Sequence, residues 1–225
     1  MFKFKDFVYK EETHEGFYKG KKVPSITQLL ETVYPLDINI PEANLLNAAA
    51  RGTEIHAICE KINETYLASG SGNARKVAYE SMNIDAINYY RFLSTYGLMP
   101  YDFEKLVFLF DEKGNLIAYG HFDIILKATA TIEIGGKVIY EENEKVLHDI
   151  KTVSSFDEPK TKIQTELYRV AYEQCFGDKL SEKTGGIHLR DNKCKLYLFG
   201  DNRTNENMIK VAKVMRQIWN EKNGD

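Results

Sequence analysis

Two stretches decide the fold of this chain, GHFD at positions 120–123 and HDIKT at positions 148–152. Each lies in apolar, β-branched sequence that is typical of a buried strand. Because side chains alternate along a strand, Asp149 and Lys151 share one face while His148 and Ile150 share the other. Burying a carboxylate costs free energy unless a cation or hydrogen bonds compensate for it. Acids at Asp123 and Asp149 therefore predict a divalent-metal site.

The length and composition are those of an ordinary globular chain, with 225 residues, 43% of them hydrophobic and 28% charged. We expect one domain over residues 1–225, with a mostly helical part at 24–97, a core at 101–200 and a final helix at 205–221. No apolar run approaches the roughly 18 residues that a membrane span requires. The first ten residues are too charged for a secretory signal, so we expect a cytoplasmic protein without a membrane partner.

The cysteines and the net charge exclude several classes of protein. Cys59, Cys175 and Cys194 are far apart, which argues against a disulfide framework and against a cysteine-based zinc or iron–sulfur site. The formal charge of −3 provides no overall basic field and counts against a passive nucleic-acid coat protein. It does not count against an acidic pocket whose charge is masked by metal ions.

Residues 2–22 are predicted to form irregular strand and turn, and two helices are predicted after them in the first third of the chain. Ser25 and Gln28 form the pattern of a capping box, and Pro35 ends that helix. A longer helix begins near Pro41 and runs towards Ala68. Its predicted apolar stripe consists of Leu45, Ala49, Gly52, Ile55, Cys59, Ile62 and Tyr66.

One flank of the longer helix carries His56 and, one turn later, Glu60. A glycine inside a helix costs about 1 kcal/mol relative to alanine. Gly52 therefore indicates a place where another backbone or a ligand comes close to this helix.

The remaining segments predict an α/β fold in which a central mixed sheet is flanked by helices. We expect a flexible connection at 69–73, a helix at 74–96 ended by Gly97, and strands at 104–110 and 116–126. A continued strand at 127–134, a hairpin partner at 137–141 and the motif strand at 145–153 follow. The chain then gives a helix at 161–176, a hairpin of strands 184–190 and 194–200, and the final helix.

Four short motifs occur in a fixed order, GTEIH at 52–56, GHFD at 120–123, DIKT at 149–152 and QTELY at 164–168. Each is weak alone, but this order on these elements resembles the PD-(D/E)XK nuclease superfamily. Within it, the chain is most similar to RecB-type exonuclease domains, over roughly residues 25–200. The resemblance implies a restriction-endonuclease-like fold with Asp123, Asp149 and Lys151 as catalytic residues.

Metal ligands can be proposed for such an activity. Phosphodiester cleavage needs a hydroxide nucleophile, neutralisation of phosphate charge and stabilisation of the leaving oxygen, which one or two Mg²⁺ or Mn²⁺ ions can supply. Hard cations prefer oxygen ligands, and Asp123 and Asp149 provide carboxylates. The resemblance implies two further ligands, the backbone carbonyl of Ile150 and the imidazole of His56, which favours Mn²⁺. Glu104, on the strand before Asp123, is a candidate outer ligand.

Three side chains are predicted to support the chemistry. Lys151 would orient or deprotonate the attacking water and offset phosphate charge. Gln164 and Tyr168, one turn apart on a helix, would position the substrate strand or brace the site. Structural alternatives stay open, because an Asp-x-Lys pair can be a simple salt bridge and a helical His or Tyr is often a core residue.

The resulting prediction is a Mg²⁺- or Mn²⁺-dependent DNA exonuclease that works from DNA ends in phage or mobile-element recombination and repair. Many RecB-type relatives carry four cysteines for an iron–sulfur cluster, which this chain lacks, so we expect none. It also lacks a G-x-x-x-x-G-K-[ST] loop, so we expect no ATP-driven motor and look to a homo-oligomer or a recombination partner for processivity. The alternatives are a structure- or sequence-specific endonuclease of the same fold, and a non-catalytic nucleic-acid-binding module on a decayed nuclease fold.

Overall fold

A mixed sheet of five strands lies at the centre of the molecule, with helices on both faces. The computed structural model describes residues 6–10, 12–13, 15–35, 41–200 and 203–224. In chain order its elements are β1 (Phe7–Lys10), β2 (Glu15–Tyr18), β3 (Lys21–Val23), α1 (Ile26–Glu31), α2 (Glu42–Ser69), α3 (Ser71–Glu80), α4 (Ile84–Tyr96), β4 (Leu98–Phe110), β5 (Leu116–Ala128), β6 (Ile132–Ile134), β7 (Lys137–Tyr140), β8 (Lys145–Lys151), α5 (Glu158–Phe176), β9 (Thr184–Arg190), β10 (Lys193–Phe199) and α6 (Asn205–Asn223).

The strand order of the central sheet is β10-β9-β8-β5-β4. Strands β8 and β9 run parallel, and the other neighbours are antiparallel. A parallel pair needs a crossover connection, and α5 provides it between β8 and β9. The predicted α/β class, with a central mixed sheet flanked by helices, is confirmed.

Each face of the sheet is covered by a separate apolar cluster. On one side α1, α5 and α6 bring Leu29, Leu167 and Trp219 together with strand residues such as Leu147. On the other side α2, α3 and α4 pack against the face that carries Ile150. This explains why β8 is apolar on both faces and confirms the alternation predicted for it.

The capping box at the start of α1 forms as predicted. The Ser25 hydroxyl accepts a hydrogen bond from the Gln28 N–H at 3.1 Å, and the Gln28 side-chain oxygen accepts one from the Ser25 N–H at 2.9 Å. Gly97, with φ 58°, ends α4 as predicted. Local hydrogen-bonding chemistry therefore fixes these two boundaries.

The prediction of a flexible connection at 69–73 is wrong. Only Gly70 separates α2 from α3, which already begins at Ser71. Gly70 has φ 85°, a backbone conformation that glycine adopts without strain. One residue is therefore enough to redirect the chain between two helices.

Two further predictions of continuous elements are also wrong. The helix expected at 74–96 is divided, because Met82 takes a left-handed conformation with φ 54° and Asn83 caps α4 through the next N–H groups. An asparagine side chain that binds nearby N–H groups competes with helix continuation. The strand expected at 127–134 is interrupted at 129–131.

The apolar stripe predicted along α2 is buried only in its second half. Ile55, Cys59 and Ile62 are buried, whereas residues 42–50, including Leu45, are exposed. Helical spacing identifies a face but not how far the partner surface extends along it. No described helix, α2 included, is both long and apolar enough to cross a membrane.

Residues 2–22, predicted as irregular strand and turn, form a more regular structure. Positions 2–5, 11 and 14 lie outside the described residues, and the others include a three-stranded antiparallel sheet, β1-β2-β3. Gly16 lies against Tyr119 of the central sheet, where a β-carbon would come within 2.3 Å of the ring. This small sheet thus packs over β5.

Candidate active site

The site lies where β5 and β8 separate. Their backbone pairing ends at Ile124 and His148, while β8 continues beside β9 as far as Lys151. Beyond that end, the Asp123 carboxylate accepts a hydrogen bond from the Ile150 N–H at 2.5 Å. The Asp123 side chain thus takes the place of the backbone carbonyl that a neighbouring strand would offer. We call the place where β5 and β8 separate the fork.

Glu104 faces this fork from β4. The pairs on either side of it are Phe103 with Ile124 and Lys105 with Phe122, which places Glu104 opposite Asp123. Its φ of 48° is left-handed, a conformation that costs a non-glycine residue roughly 1–2 kcal/mol. Strained residues of this kind cluster at functional sites, so the observation points to a role for Glu104.

His56 of α2 lies between the acids and the end of β8. Its Nδ1 is 3.7 Å from Asp123 Oδ1 and 4.0 Å from Glu104 Oε1, and its Nε2 is 3.0 Å from the Ile150 carbonyl oxygen. Ligand atoms of His56, Glu104 and Asp123 lie within 4.8 Å of one another, the one such set in the part of the chain that the structure describes. Asp149 lies outside this set.

Asp149 is paired instead with Lys151. Its Oδ2 lies 2.8 Å from Lys151 Nζ, and among the described residues this buried oxygen makes no hydrogen bond of good geometry. Lys151 Nζ also donates to Gln164 Oε1 of α5 at 3.0 Å. The ammonium group is therefore held between a strand carboxylate and a helix amide.

The glycine of the GHFD motif makes room for the tyrosine of the QTELY motif. A β-carbon at Gly120 would lie 2.8 Å from Tyr168 Cε1, closer than real contacts allow. The Tyr168 hydroxyl also interacts with the side chains of Gln164 and of Thr27 in α1. A contact chain thus leads from Gly120 through Tyr168 and Gln164 to Lys151.

Burial and neighbouring charges raise the pKa values of three side chains in the site. Burial raises the pKa of Asp123 to about 7, and the Asp123 carboxylate in turn raises the pKa of His56 to about 9. Burial opposes the charge of Lys151, but the carboxylates of Asp149 and Asp123 more than offset it and raise its pKa. A bound cation would therefore stabilise the ionised form of Asp123, which burial disfavours.

A cleft of about 470 Å³ opens beside His56 and Glu104. Glu60, one helical turn from His56, lines its wall, and burial together with the Glu104 charge raises the pKa of Glu60. The predicted pairing of His56 and Glu60 on one flank of α2 is confirmed. Acidic side chains thus continue from the fork into the cleft.

Arg51 fixes α2 against the end of β8. It donates to the Thr152 carbonyl and to the Asp85 carboxylate, both at 2.5 Å. A β-carbon at Gly52 would lie 3.3 Å from the Thr152 hydroxyl, so the close approach predicted at Gly52 involves a side chain of β8's continuation. Sequence reasoning missed Arg51, because only its position beside Gly52 distinguishes it from a surface cation.

The structure thus brings the sequence-predicted residues to one region. His56, Glu104, Asp123 and the Ile150 carbonyl surround the fork, and Asp149, Lys151, Gln164 and Tyr168 form the adjoining chain of contacts. Their catalytic and metal-binding roles stay predictions.

Two neighbouring histidines face elsewhere. His148 is fully buried and bonds the Tyr140 hydroxyl and the Val146 carbonyl, each at 2.9 Å. His121 packs edge-on against the Tyr9 ring with 5.9 Å between centroids. These contacts favour a packing role for both residues.

No protein-family model matches the chain, and none of the curated proteins matches it. Among solved structures, it is similar to one from Eubacterium rectale described as "Putative exonuclease", with 12% identity and a TM-score of 0.44, over 90% of this chain and 82% of that chain. It is also similar to the structure of SSO0001, with 12% identity and a TM-score of 0.37, over 85% and 82%. Likenesses of this size leave the function to be argued from the site.

Proposed function

We propose that this protein is a divalent-metal-dependent nuclease that hydrolyses phosphodiester bonds in DNA. The supporting observation is the convergence of His56, Glu104 and Asp123 at one fork, beside the ion pair of Asp149 and Lys151. A purely structural salt bridge would not explain why a strained glutamate and a helix imidazole face the same point.

The donor set fits Mg²⁺ or Mn²⁺. Carboxylate and carbonyl oxygens suit both ions, and the His56 imidazole shifts the preference towards Mn²⁺. Asp149 already lies beside the Lys151 ammonium group, whereas burial raises the pKa of Asp123 to about 7, so Asp123 would gain from a nearby cation. When bound, such an ion supplies neutralisation of phosphate charge and lowers the pKa of water.

Within this proposal, Lys151 acts mainly through its charge. The raised pKa keeps its ammonium group protonated at neutral pH, and Asp149 and Gln164 hold that group in place. A protonated lysine offsets charge on the phosphate and orients the attacking water, but it cannot accept a proton. Tyr168 braces the arrangement through Gln164.

The finer assignment is an exonuclease that degrades DNA from its ends in phage or mobile-element recombination and repair, and it follows from the RecB-type resemblance. DNA is the implied partner, with a homo-oligomer or a recombination protein as a second one, and the cytoplasm the compartment. A decayed, non-catalytic module would be expected to lack an acid or the lysine. Here Asp123, Asp149 and Lys151 are all present, and Lys151 Nζ lies 2.8 Å from Asp149 Oδ2.

The test compares cleavage of end-labelled linear DNA and of a covalently closed circle in the presence of Mn²⁺. Asp123→Asn, which keeps an acceptor for the Ile150 N–H, should lower the cleavage rate by about 10²- to 10³-fold or more. Glu133→Gln, which changes an exposed acid on β6, is the charge-matched control and should cleave normally.

Each outcome discriminates between the candidates. Normal cleavage by folded Asp123→Asn would remove the metal-site argument. Degradation of the closed circle would favour the endonuclease. If Mn²⁺ raises the melting temperature of neither the wild type nor the control, the non-catalytic module is favoured instead.

A further inference from the structure

The face of the sheet that carries Asp149 and Lys151 continues across β9 to the edge strand β10. Residues that pair in register across neighbouring strands point to the same face. Two such rows cross the three strands, namely Asp149, Gly186 and Tyr197, and Lys151, His188 and Lys195. Two strand spacings place β10 about 10 Å from β8. The proposed catalytic pair thus has aromatic and basic neighbours on its own face.

Phe156 completes an aromatic surface over this region. Its ring lies parallel to that of Tyr197, with centroids 3.9 Å apart and an interplanar angle of 8°. Gly186 makes this possible, because a β-carbon there would lie 2.5 Å from Phe156 Cζ. Lys195 Nζ lies over the Tyr197 ring, 4.3 Å from its centroid, and must occupy the face that Phe156 leaves open. We call Phe156, His188, Lys195 and Tyr197 the edge platform.

The edge platform is fixed directly to the proposed active site. Phe156 lies in the segment between β8 and α5, five residues after Lys151. His188 Nε2 donates to the carbonyl of Val153 in this segment at 2.7 Å, and Asp157 caps α5 immediately after Phe156. Both ends of the segment are therefore held, which positions the ring without a ligand.

We propose that the edge platform binds a single-stranded segment of the nucleic acid whose phosphodiester is cleaved at the fork, an inference that rests on the proposed nuclease function. Aromatic rings beside basic side chains form the usual surface for single strands, because bases stack on the rings and cations contact the phosphates. A base stacks on the open face of Tyr197 and displaces the flexible Lys195 side chain towards the phosphate. Lys193 extends the positive charge along the same hairpin, whereas Arg190 forms an ion pair with Asp191 at 3.4 Å.

The chemistry of the edge platform favours a nucleic acid over a protein partner. It carries the cation of Lys195, although the chain as a whole has a net charge of −3. The cationic surface is continuous with the row that contains Lys151. A strand of phosphates complements the lysine of the edge platform, whereas an apolar peptide would leave Lys195 without a partner.

The test measures the anisotropy of a fluorescein-labelled 12-nucleotide oligothymidylate in EDTA, where metal-dependent cleavage cannot occur. Tyr197→Leu should weaken binding about 5- to 150-fold, the range that loss of one stacked base produces. Tyr197→Phe keeps the ring and should bind within about twofold of the wild type. Lys195→Ala should reduce the slope of log affinity against log salt by about 0.7.

Tyr79→Leu is the matched control, because Tyr79 is an exposed tyrosine that also lies beside cationic side chains, but on α3. It should bind like the wild type. Equal binding by folded Tyr197→Leu would overturn the proposal, and so would an equal loss with a blunt duplex, which would remove the preference for single strands. Urea unfolding confirms that each variant is folded.

Hydrolysis of bis(p-nitrophenyl) phosphate with Mn²⁺ reads the proposed function separately, because this small diester has no nucleotide strand to stack. Tyrosine-dependent oligonucleotide binding without diester hydrolysis would support the edge platform and contradict the nuclease assignment. Hydrolysis without tyrosine-dependent binding would contradict the edge platform alone.

Discussion

Gly120→Ala tests whether the GHFD motif depends on the tyrosine of the QTELY motif. The added β-carbon would lie 2.8 Å from Tyr168 Cε1 and 3.1 Å from its hydroxyl oxygen. Ordinary contact begins at 3.4 Å, so the ring must retreat by about 0.6 Å. Tyr168 is buried, and its hydroxyl interacts with the side chains of Gln164 and Thr27. Moving the ring would therefore weaken or break these interactions.

The expected cost follows from these contacts. Overpacking a buried site typically costs 1–3 kcal/mol, and each hydrogen bond that is lost costs about 0.5–1.5 kcal/mol more. We expect the free energy of unfolding to fall by about 2–3 kcal/mol. Because Gln164 also holds Lys151 at 3.0 Å, the cleavage rate should fall at least about tenfold under conditions in which the variant is folded.

Urea unfolding followed by circular dichroism measures this cost. Gly120→Ala combined with Tyr168→Leu removes the clash. The free energy of unfolding of the double variant should therefore fall by less than the sum of the two single losses, by about 1 kcal/mol or more. Gly72→Ala is the control, because Gly72 lies in α3 with no other atom near its β-position, and it should stabilise the protein by about 0.5–1 kcal/mol. Wild-type stability of Gly120→Ala, or additive behaviour of the pair, would refute the reasoning.

Three further predictions concern a buried histidine, metal binding and a strained turn. Burial lowers the pKa of His148 to about 4, so in the range from about pH 6.5 to 4 the unfolded state binds a proton that the folded state does not. The free energy of unfolding measured in urea should therefore fall as the pH drops through this range. Tyr140→Phe removes the hydrogen-bond donor to His148 and should cost a further 1–3 kcal/mol or so at pH 7. Metal binding must displace protons from Asp123 and His56, with pKa values of about 7 and about 9, so calorimetry should show Mn²⁺ affinity that rises by about tenfold or more per pH unit between pH 6 and 8. Met82→Gly relieves a left-handed φ of 54° at an exposed residue, and thermal unfolding should show a gain of about 0.5–1 kcal/mol.

The parts of the fold that the sequence predicted are those decided by local chemistry. The capping box at Ser25, the turn at 191–192 and the stop at Gly97 depend on hydrogen bonds or φ angles within a few residues. The apolar spacing of α5 and α6 also suffices, because one continuous face packs on the sheet along most of each helix. Where a boundary depended on one residue, as at Gly70 and Met82, periodicity could not place it.

The sequence predicted which residues belong to the site but not how they are arranged in space. The order of the motifs identifies Asp123, Asp149 and Lys151 as candidates, yet it does not reveal the left-handed backbone at Glu104 or the bonds that Arg51 makes to β8. Both depend on contacts between residues far apart in the chain. Phe156 was also missed, because a single aromatic residue in a short connection carries no periodic signal.

The fork gives the same side chains a structural role and a proposed chemical one. The N–H and C=O of a strand residue point to the same side, and at Ile150 that side faces the place where β5 has separated. Asp123 accepts the N–H and His56 contacts the C=O, so the open sheet edge is capped without a metal ion.

Two substitutions at Asp123 separate these roles. Asp123→Asn retains a hydrogen-bond acceptor and should be more stable than Asp123→Ala by about 1–3 kcal/mol in urea, because the alanine leaves a buried N–H without a partner. Both variants should lose the rise in melting temperature that we expect Mn²⁺ to produce in the wild type. Glu104→Gln provides a comparison, since it removes a carboxylate from the site without touching the Ile150 backbone. If the two Asp123 variants are equally stable, the carboxylate does not cap β8, and its burial at the fork must be explained by ligand binding alone.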